Sequence, residues 1–183
     1  MSELYKVVFK GGCGEITEKK SRFIAHVYSV EKADEAEEII GKLKKQYWDA
    51  RHNCYAYVIG DDTAMRRCSD DGEPQGTAGV PILDVLRKRQ LTDLCVVVTR
   101  YFGGVLLGTG GLVHAYTTAA CQAIENGGIV TYALFQTFYI QCSYSDYQKI
   151  LHENQRFSVR VEQADFSQHV ALHCTCPAAM FDS

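Results

Sequence analysis

The chain has 183 residues, which allows one large domain or two small ones. Hydrophobic residues make up 46% and charged residues 22%, a globular composition that excludes a disordered chain. The net charge of −3 argues against a protein that coats nucleic acid non-specifically, because such proteins carry a strong basic excess. No apolar run reaches about 18 residues and the first residues lack a signal-peptide pattern, so we expect no membrane span and a cytoplasmic location.

The first part of the chain predicts alternating strands and helices. The continuous apolar run Leu94–Thr99 is typical of a central strand that is buried on both faces. We predict turns or loops at Gly11–Gly14 and Gly60–Gly79, because glycine and polar residues dominate there. Strands are expected at Tyr5–Phe9, Ser21–Val27, Asn53–Ile59 and Leu94–Thr99. Helices are expected at Ala33–Tyr47, Pro81–Gln90 and Leu112–Asn126.

The character of the sequence changes near Leu134. From there the pattern predicts a strand, a helix and two further strands. We therefore expect two domains, at 1–134 and 135–183. The four predicted elements of the second domain are Thr137–Cys142, Ser145–Asn154, Phe157–Ala164 and His169–Cys176.

The cysteines are expected to be unpaired thiols, because structural disulfides are rare in a reducing compartment. Cys174 and Cys176, with His169 and His173 close by, resemble a metal site. Strand alternation, however, places the two cysteines on one face and His173 on the other, which favours strand packing over zinc. We expect no metal and no other cofactor. The eight cysteines are Cys13, Cys54, Cys68, Cys95, Cys121, Cys142, Cys174 and Cys176.

Two segments carry chemical information, and the first runs from Asp70 to Gly79. Its three carboxylates, on Asp70, Asp71 and Glu73, are suited to holding a magnesium ion or to acid–base catalysis. The alternative is a polar surface loop whose charges are simply solvated. The sequence leaves both interpretations open.

The second segment, Arg100–Gly111, joins a buried strand to a helix through a glycine-rich turn. Exposed amides and the positive helix end at that point favour an anion. The phosphate-loop pattern is not met, because Thr109 stands where that pattern has lysine, and the dinucleotide pattern is not met because Val113 replaces its last glycine. An anion site and tight strand-to-helix packing are both consistent with these glycines.

Several ordered motifs together resemble the YigZ/IMPACT family, over roughly residues 16–131. The second half is similar to the small C-terminal domain of bacterial members through Tyr144–Tyr147 and its element order. The motifs in the first half are Lys20–Ala25, Asp49–Tyr57, Ser69–Pro74, Gly76–Gly79, Thr99–Gly104, and Leu107–Leu112 with Tyr116.

The resemblance implies an α+β fold with two domains. It implies that the first domain is like ribosomal protein S5 domain 2 and the second is ferredoxin-like. A ferredoxin-like domain needs a further helix and strand beyond residue 183, so we expect an incomplete second domain. Its uncovered apolar surface, from residues such as Phe138, Ile140 and Val170, would favour self-association.

The resemblance also bears on function. Eukaryotic relatives regulate translation initiation by competing for an activator of the initiation-factor-2 kinase, with an additional N-terminal domain. We therefore expect a non-enzymatic, translation-associated regulator that binds RNA or a ribosome-associated protein. The alternative is a small-molecule enzyme or phosphate-ligand binder, with Arg100 as anion binder, His52 as base and Glu73 as acid or metal ligand.

Both segments are expected to line one cleft, with Arg22 and His52 near it, because ligand sites gather where strands end and loops begin. The anion at Arg100 would be either a ligand phosphate or one of the chain's own carboxylates, Glu73 or Asp71. The candidate ligand-binding residues are Arg22, His52, Asn53, Asp71, Glu73, Gly76, Thr77, Arg100, Gly103, Gly104, Gly110 and Gly111.

Overall fold

The structure, a computed structural model, describes residues 4–60, 65–154 and 156–181. The chain divides into two compact units, Met1–Thr131 and Tyr132–Ser183. The mixed α and β content confirms the predicted fold class, whereas the domain assignment at 1–134 and 135–183 stays a prediction. Within the described part of the chain, no helix is both long enough and apolar enough to cross a membrane.

The first unit is built around a five-stranded antiparallel sheet with the strand order β2-β3-β6-β4-β5. A separate two-stranded sheet pairs β1 (Leu4–Val8) with β7 (Ile129–Ala133). The strands of the larger sheet are β2 (Gly12–Glu18), β3 (Ser21–Ser29), β4 (His52–Ile59), β5 (Met65–Ser69) and β6 (Leu94–Tyr101). The helices are α1 (Ala33–Gln46), α2 (Gly79–Lys88) and α3 (Gly108–Gly127).

Helices cover both faces of the five-stranded sheet. Ile40 and Leu43 of α1 pack on one face, with Val97 of β6 among their neighbours. Helices α2 and α3 cover the other face, where they share a core with Val96 and Val98 of the same strand. Strand β6 is therefore buried on both sides, as its apolar run predicts.

Glycines near the N-terminus form a strand where the sequence predicts a turn. Gly12 and Gly14 belong to β2, which lies against α3. A Cβ atom at Gly12 would stand 2.3 Å from the carbonyl oxygen of Ala123. The glycines therefore allow close approach of a strand and a helix, so the predicted turn at Gly11–Gly14 is wrong.

The predicted loop from Gly60 to Gly79 is also interrupted by a strand, β5. Among the described residues this strand pairs with β4 alone, at the edge of the sheet, and it exposes Met65, Arg66 and Arg67. Charged residues on an edge strand hide the usual apolar alternation, which explains why the pattern did not reveal it. Residues 61–64 lie outside the described residues. Helix α3 begins at Gly108, four residues earlier than expected.

The second unit has the predicted order of strand, helix, strand, strand. Its antiparallel sheet has the order β8-β10-β9. The Ser143 hydroxyl caps the helix by accepting a hydrogen bond from the amide of Asp146 at 3.2 Å. The elements are β8 (Phe135–Cys142), α4 (Tyr144–Glu153), β9 (Arg160–Phe166), β10 (Val170–Pro177) and the short α5 (Ala178–Phe181).

One expectation about this unit is wrong. Phe138, Ile140 and Val170 do not form an uncovered apolar face, because they share a hydrophobic cluster with Tyr147 and Ile150 of α4. Strand alternation places all three on the face that this helix covers. Self-association of the chain stays a prediction.

The opposite face of the second sheet carries the residues that alternate with this cluster. Tyr139, which is 77% exposed, stacks on His173 with 4.8 Å between ring centroids. Cys174 and Cys176 lie buried on the covered face, so strand alternation separates them from His173. All eight cysteines are free thiols.

Candidate functional site

Three side chains from the adjacent strands β3, β6 and β4 form a row near one end of the five-stranded sheet. Phe23 of β3 lies opposite Arg100 of β6, and Arg100 lies opposite His52 of β4. Directly opposed residues in an antiparallel sheet share a face, so all three side chains point to the side that α3 covers. The guanidinium of Arg100 stacks against the rings of Phe23 and Phe102, 5.5 Å from each centroid.

Arg100 forms a buried ion pair with Glu73. Its Nη1 donates to Oε1 of Glu73 at 2.7 Å, and the Tyr116 hydroxyl donates to the same oxygen at 2.7 Å. The side chains of Arg100 and Glu73 are only 7% and 3% exposed. The sequence allowed two kinds of anion at Arg100, a ligand phosphate or a carboxylate of the chain. In the structure the anion is the carboxylate of Glu73.

Two details of this buried cluster leave hydrogen-bonding capacity at Arg100. Nη2 lies 3.4 Å from the Ser21 hydroxyl, a long contact, and the buried Nε–H has no hydrogen-bond partner among the described residues.

Burial raises the pKa of Tyr116, so this hydroxyl remains protonated and keeps donating to Glu73.

Asp70 holds the first segment in shape. Its Oδ1 accepts from the amides of Ala78 at 3.0 Å and Gly79 at 2.8 Å, and its Oδ2 accepts from the amide of Gly76 at 2.8 Å. Gly79 is the first residue of α2, so this carboxylate also lies at a helix N-terminus, where negative charge is favourable. The carboxylate is a structural clamp.

Asp71 is held in a similar way. Its Oδ1 accepts from Nζ of Lys44 at 2.6 Å and its Oδ2 accepts from the amide of Asn53 at 2.7 Å. Asp71 and Gly72 both have positive φ, +43° and +87°, which forms a tight turn. Across the described residues, no group of three His, Cys, Asp or Glu side chains is placed to hold a metal ion.

His52 has a defined orientation. Its Nδ1 lies 2.8 Å from the backbone oxygen of Asp71, and because a carbonyl can only accept, Nδ1 carries the hydrogen. In the neutral ring, Nε2 is then an acceptor. It lies 3.9 Å from Oε1 of Glu73, which is too far for a hydrogen bond, and the side chain is 14% exposed.

A cleft of about 510 Å³ lies above this cluster, and both segments line it. Arg51, His52, Glu73 and Arg100 are among the residues that line it. The glycine-rich second segment also contributes Phe102, Leu106, Leu107, Gly108 and Thr109, and Leu112 of α3 follows directly after it.

The start of α3 borders the cleft without a side-chain cap. Its N-cap residue, Leu107, forms no side-chain hydrogen bond, so the described residues give the first-turn amides no capping side chain. Gly108 has a φ of +76°, and a Cβ atom at Gly110 would meet nothing within 4 Å. This helix start therefore presents open amides beside the cleft.

The comparisons with known proteins agree with this architecture. The model of the Impact N-terminal domain matches residues 19–124, and that of a domain of unknown function, DUF1949, matches residues 140–183. The IMPACT family member YvyE of Bacillus subtilis is 44% identical over 93% of this chain and 78% of its own length. The chain belongs to the IMPACT family.

Two further relatives span most of the chain. The IMPACT family member YigZ of Escherichia coli is 36% identical over 88% of this chain and 80% of its own length. A crystal structure described as that of a hypothetical protein superimposes with a TM-score of 0.69 at 32% identity, covering 100% of this chain and 89% of the other. The resemblance seen in the motifs is therefore confirmed.

Other sequence-predicted residues of this IMPACT family chain have structural contacts. Asn53 accepts at Oδ1 from the Thr99 hydroxyl at 2.7 Å, and the Thr77 hydroxyl donates to the backbone oxygen of Pro74 at 2.6 Å. A Cβ atom at Gly103 would stand 2.0 Å from the backbone of Lys20, so this glycine allows a close approach of two chain segments.

Three of the predicted glycines differ in how open they are. Gly76 donates its amide to Asp70 and is part of the clamp. Gly104 has a φ of +81°, and a Cβ atom placed there would meet nothing within 4 Å, whereas a Cβ atom at Gly111 would lie 3.0 Å from Cβ of Leu107. The glycines of the second segment thus form the turn and the helix start.

Arg22 does not line the cleft. It pairs with Tyr101, one position along β3 and β6 from the row that contains Arg100, so alternation places it on the opposite face. There its guanidinium binds Glu15 at 2.6 and 2.8 Å. The motif that contains Arg22 does not indicate the strand face on which its side chain lies.

Sequence reasoning also missed Arg51 and Phe102, which line the cleft, and Ser21, which lies beside Arg100. Each lies directly beside a residue that was selected from its motif. Their side chains could have been assigned to a face only with the register of β3, β4 and β6, which a single sequence does not provide.

Proposed function

We propose that this IMPACT family chain is a translation-associated regulator that acts by binding, with RNA or a ribosome-linked factor as its partner. The family relationship supports the link to translation, as the regulatory role of eukaryotic members implies. The observation that carries the binding role is the internal pairing of Asp70, Asp71 and Glu73. Carboxylates that bind internal donors form a rigid recognition surface and are not free for acid–base catalysis.

The first unit is the better candidate for contact with RNA. Residues 135–183 contain three lysines and arginines, Lys149, Arg156 and Arg160, against five carboxylates. Lys149 lies 2.9 Å from Asp146, and Arg156 lies 3.8 Å from Glu153. A surface with so few uncompensated cations is poorly suited to phosphate backbones.

Sedimentation of cell extracts through sucrose gradients tests this role. We expect the tagged full chain to migrate with ribosomal fractions, and we expect high salt to release it if the contact is electrostatic. Arg51→Glu, at the cleft, should weaken this association, whereas Arg66→Glu, on the exposed edge strand, should not. A chain that stays at the top of the gradient at low salt would contradict the proposal.

Treatment with ribonuclease and crosslinking separate the two kinds of partner. If RNA is the partner, crosslinks at the cleft should carry nucleotide fragments and ribonuclease should abolish the association. If a protein is the partner, crosslinked peptides should identify it and limited ribonuclease should leave the contact intact.

A second candidate is a phosphate-ligand binder or small-molecule enzyme that uses the same cleft. The specific observation in its favour is the uncapped start of α3 beside Arg51 and His52. Inorganic phosphate should then raise the melting temperature of the chain, and Arg51→Gln should remove that effect. The same melting temperature with and without phosphate would exclude a phosphate ligand of useful affinity.

A further inference from the structure

Three large apolar side chains are exposed on one turn of the first unit. Phe102, Val105 and Leu106 are 44%, 40% and 82% exposed, and they lie in the turn between β6 and α3. Single exposed apolar side chains are normal on a protein surface, whereas a cluster of them marks a contact with another molecule. The cluster therefore indicates that this turn, residues 102–107, is a contact surface.

The turn holds these side chains in a fixed position. The amide of Gly103 donates to the Ser21 hydroxyl at 3.2 Å, and a Cβ atom at Gly103 would stand 2.0 Å from the backbone of Lys20. Leu107, which follows Leu106, is buried and anchors the other end of the turn. A surface that is already ordered loses less conformational entropy on binding, so a partner can bind it more tightly.

The hairpin that packs against this turn carries two lysines at its tip. Lys19 and Lys20 form the two-residue connection between β2 and β3, because Glu18 pairs with Ser21. Both lysines have positive φ, +44° and +66°, a conformation for which such hairpins favour asparagine and glycine. Both are exposed, and neither forms an ion pair with any described residue. A strained tip of the chain therefore presents two cations beside the apolar turn.

A third cation lies at the cleft itself. Arg51 is exposed, lines the cleft, and forms no ion pair within the described part of the chain. Glu73, the carboxylate that lines the cleft, is already bound to Arg100 at 2.7 Å. Glu18 and Asp49 are close to the three cations in sequence, so an excess of positive charge remains. This excess is complementary to carboxylates on a partner.

The cleft beside the turn is suited to an apolar side chain of a partner. Its volume is about 510 Å³, and apolar residues are prominent in its lining. In protein interfaces, the residues that contribute most to affinity are side chains that fill such pockets. A leucine or phenylalanine of a partner would be removed from water here, while neighbouring carboxylates could reach the three cations. The apolar lining residues are Pro74, Phe102, Leu106, Leu107 and Leu112.

This combination fits a protein segment better than it fits RNA. Val105 and Leu106 are aliphatic, whereas surfaces that bind single-stranded RNA combine cations with aromatic rings on which bases stack. The chain has a net charge of −3, without the basic excess of proteins that coat nucleic acid. Apolar side chains beside cations instead match a protein segment that carries both apolar and acidic residues.

We propose that the first unit docks an acidic, amphipathic segment of a partner protein on this surface. An apolar side chain of that segment enters the cleft against Phe102 and Leu106, and its carboxylates pair with Arg51, Lys19 and Lys20. This inference rests on the cleft being the binding site of the proposed function, and it names a protein segment as the partner recognised there.

Photocrosslinking in cells tests the proposal. A benzophenone amino acid in place of Leu106 of the full chain should form an adduct with a protein, and mass spectrometry of the adduct maps the captured segment. We expect this segment to contain several carboxylates and an apolar side chain at the crosslink. The same amino acid in place of Met65, an exposed apolar residue of β5, is the matched control and should not capture the segment.

The mapped segment, made as a synthetic peptide, then measures each contact. Leu106→Ala should weaken its affinity by about tenfold, because it removes the apolar contact. Arg51→Gln should weaken it several-fold and reduce its dependence on salt, and so should the double variant Lys19→Gln with Lys20→Gln. Arg66→Gln removes an exposed arginine from β5 and should bind like the unmodified chain. All these side chains are exposed, so the melting temperatures should hardly change.

Several results would overturn the inference. One is an adduct at Leu106 that carries nucleotide fragments or a second copy of this chain. Another is an adduct no more abundant than the one formed at Met65. A mapped segment without carboxylates would also contradict it, and so would a peptide affinity that Leu106→Ala and Arg51→Gln leave unchanged.

This experiment and the sucrose gradients can fail independently. A chain that captures an acidic protein segment but never migrates with ribosomal fractions would contradict the proposed translation role alone. A chain that migrates with ribosomes but carries nucleotide fragments at Leu106 would contradict this inference alone.

Discussion

The two segments that line the cleft use their polar groups in different ways. Between Asp70 and Gly79, carboxylate oxygens accept from backbone amides and from Lys44, so the hydrogen bonds are directed inwards. Between Phe102 and Gly111, beyond the buried Arg100, the helix start carries no side-chain cap and Leu106 is 82% exposed. One segment is closed by its own contacts, and the other remains open.

This difference shows that chemically rich residues need not be the reactive ones. The acidic segment has the composition of a metal or acid–base site, yet its charges determine its shape. The glycine-rich segment contains few ionisable groups, but it offers backbone amides and apolar surface to a partner. If this interpretation is correct, changes in the first segment and at Arg100, which is paired with Glu73, should mainly reduce stability. Changes between Phe102 and Gly111 should mainly alter binding.

The largest expected effect is on the buried ion pair. Arg100→Ala should lower the free energy of unfolding by about 3–5 kcal/mol, because it leaves Glu73 buried without its cation. Urea denaturation with and without phosphate measures this loss. Arg87→Ala, which removes an exposed arginine 3.5 Å from Asp84, is the matched control and should leave the midpoint nearly unchanged.

A paired substitution sharpens the same test. In Arg100→Met with Glu73→Gln neither charge remains, so much of the lost stability should return. If Arg100→Ala alone melts like the unmodified chain, then the ion pair is not structural and Arg100 must act on an external ligand instead.

The sequence predicted the class of the fold and the meeting of the two segments, but not the roles within them. The apolar run of β6 and the stripe of α1 were sufficient to locate a central strand and its covering helix. The faces of Arg22 and Arg100 depend on register between strands, and register is a long-range property. The glycines of β2 look like turn residues, because the helix that requires them is about a hundred residues away in the chain.

The next effect concerns the clamp formed by Asp70. Asp70→Asn removes the charge and one of the two acceptor oxygens that serve three amides, so we expect a loss of about 2 kcal/mol. Asp84→Asn, on the exposed side of α2, makes the same chemical change without such contacts to amides. Equal melting temperatures for the two variants would show that the loop does not depend on its carboxylate.

The change of the free energy of unfolding with pH in the alkaline range tests the burial of two thiols. One of them, Cys54, contacts this loop. Burial raises the pKa of Cys54, whose thiol donates to the backbone oxygen of Asp70, and raises that of Cys95 to about 12. An unfolded thiol ionises near about pH 8.5, so the folded chain keeps protons that the unfolded chain releases above that value. Each such thiol should therefore lower the free energy of unfolding by about 1.4 kcal/mol per pH unit, from about pH 8.5 up to its folded pKa.

Chemical denaturation between about pH 8 and pH 11 measures this slope. Cys54→Ala should make it shallower by the contribution of one thiol, although it lowers stability at neutral pH. Cys13→Ala removes an exposed thiol and should leave the slope as it is. A slope that Cys54→Ala does not change would mean that the loop opens before the chain unfolds, contrary to the closed arrangement described above.

The smallest effect is expected in the open segment. Gly110 lies in the first turn of α3, and nothing stands within 4 Å of a Cβ atom placed there, so Gly110→Ala should stabilise the chain by about 0.5 kcal/mol. Gly104 has a φ of +81°, so Gly104→Ala should instead cost about 1 kcal/mol through backbone strain. The two variants add the same methyl group within one segment, and thermal denaturation distinguishes them by the sign of the shift. Because alanine keeps its amide, Gly110→Ala should also preserve phosphate binding. A loss of stability at Gly110 would mean that the helix start is already packed against another group, and the contrast between a closed and an open segment would then fail.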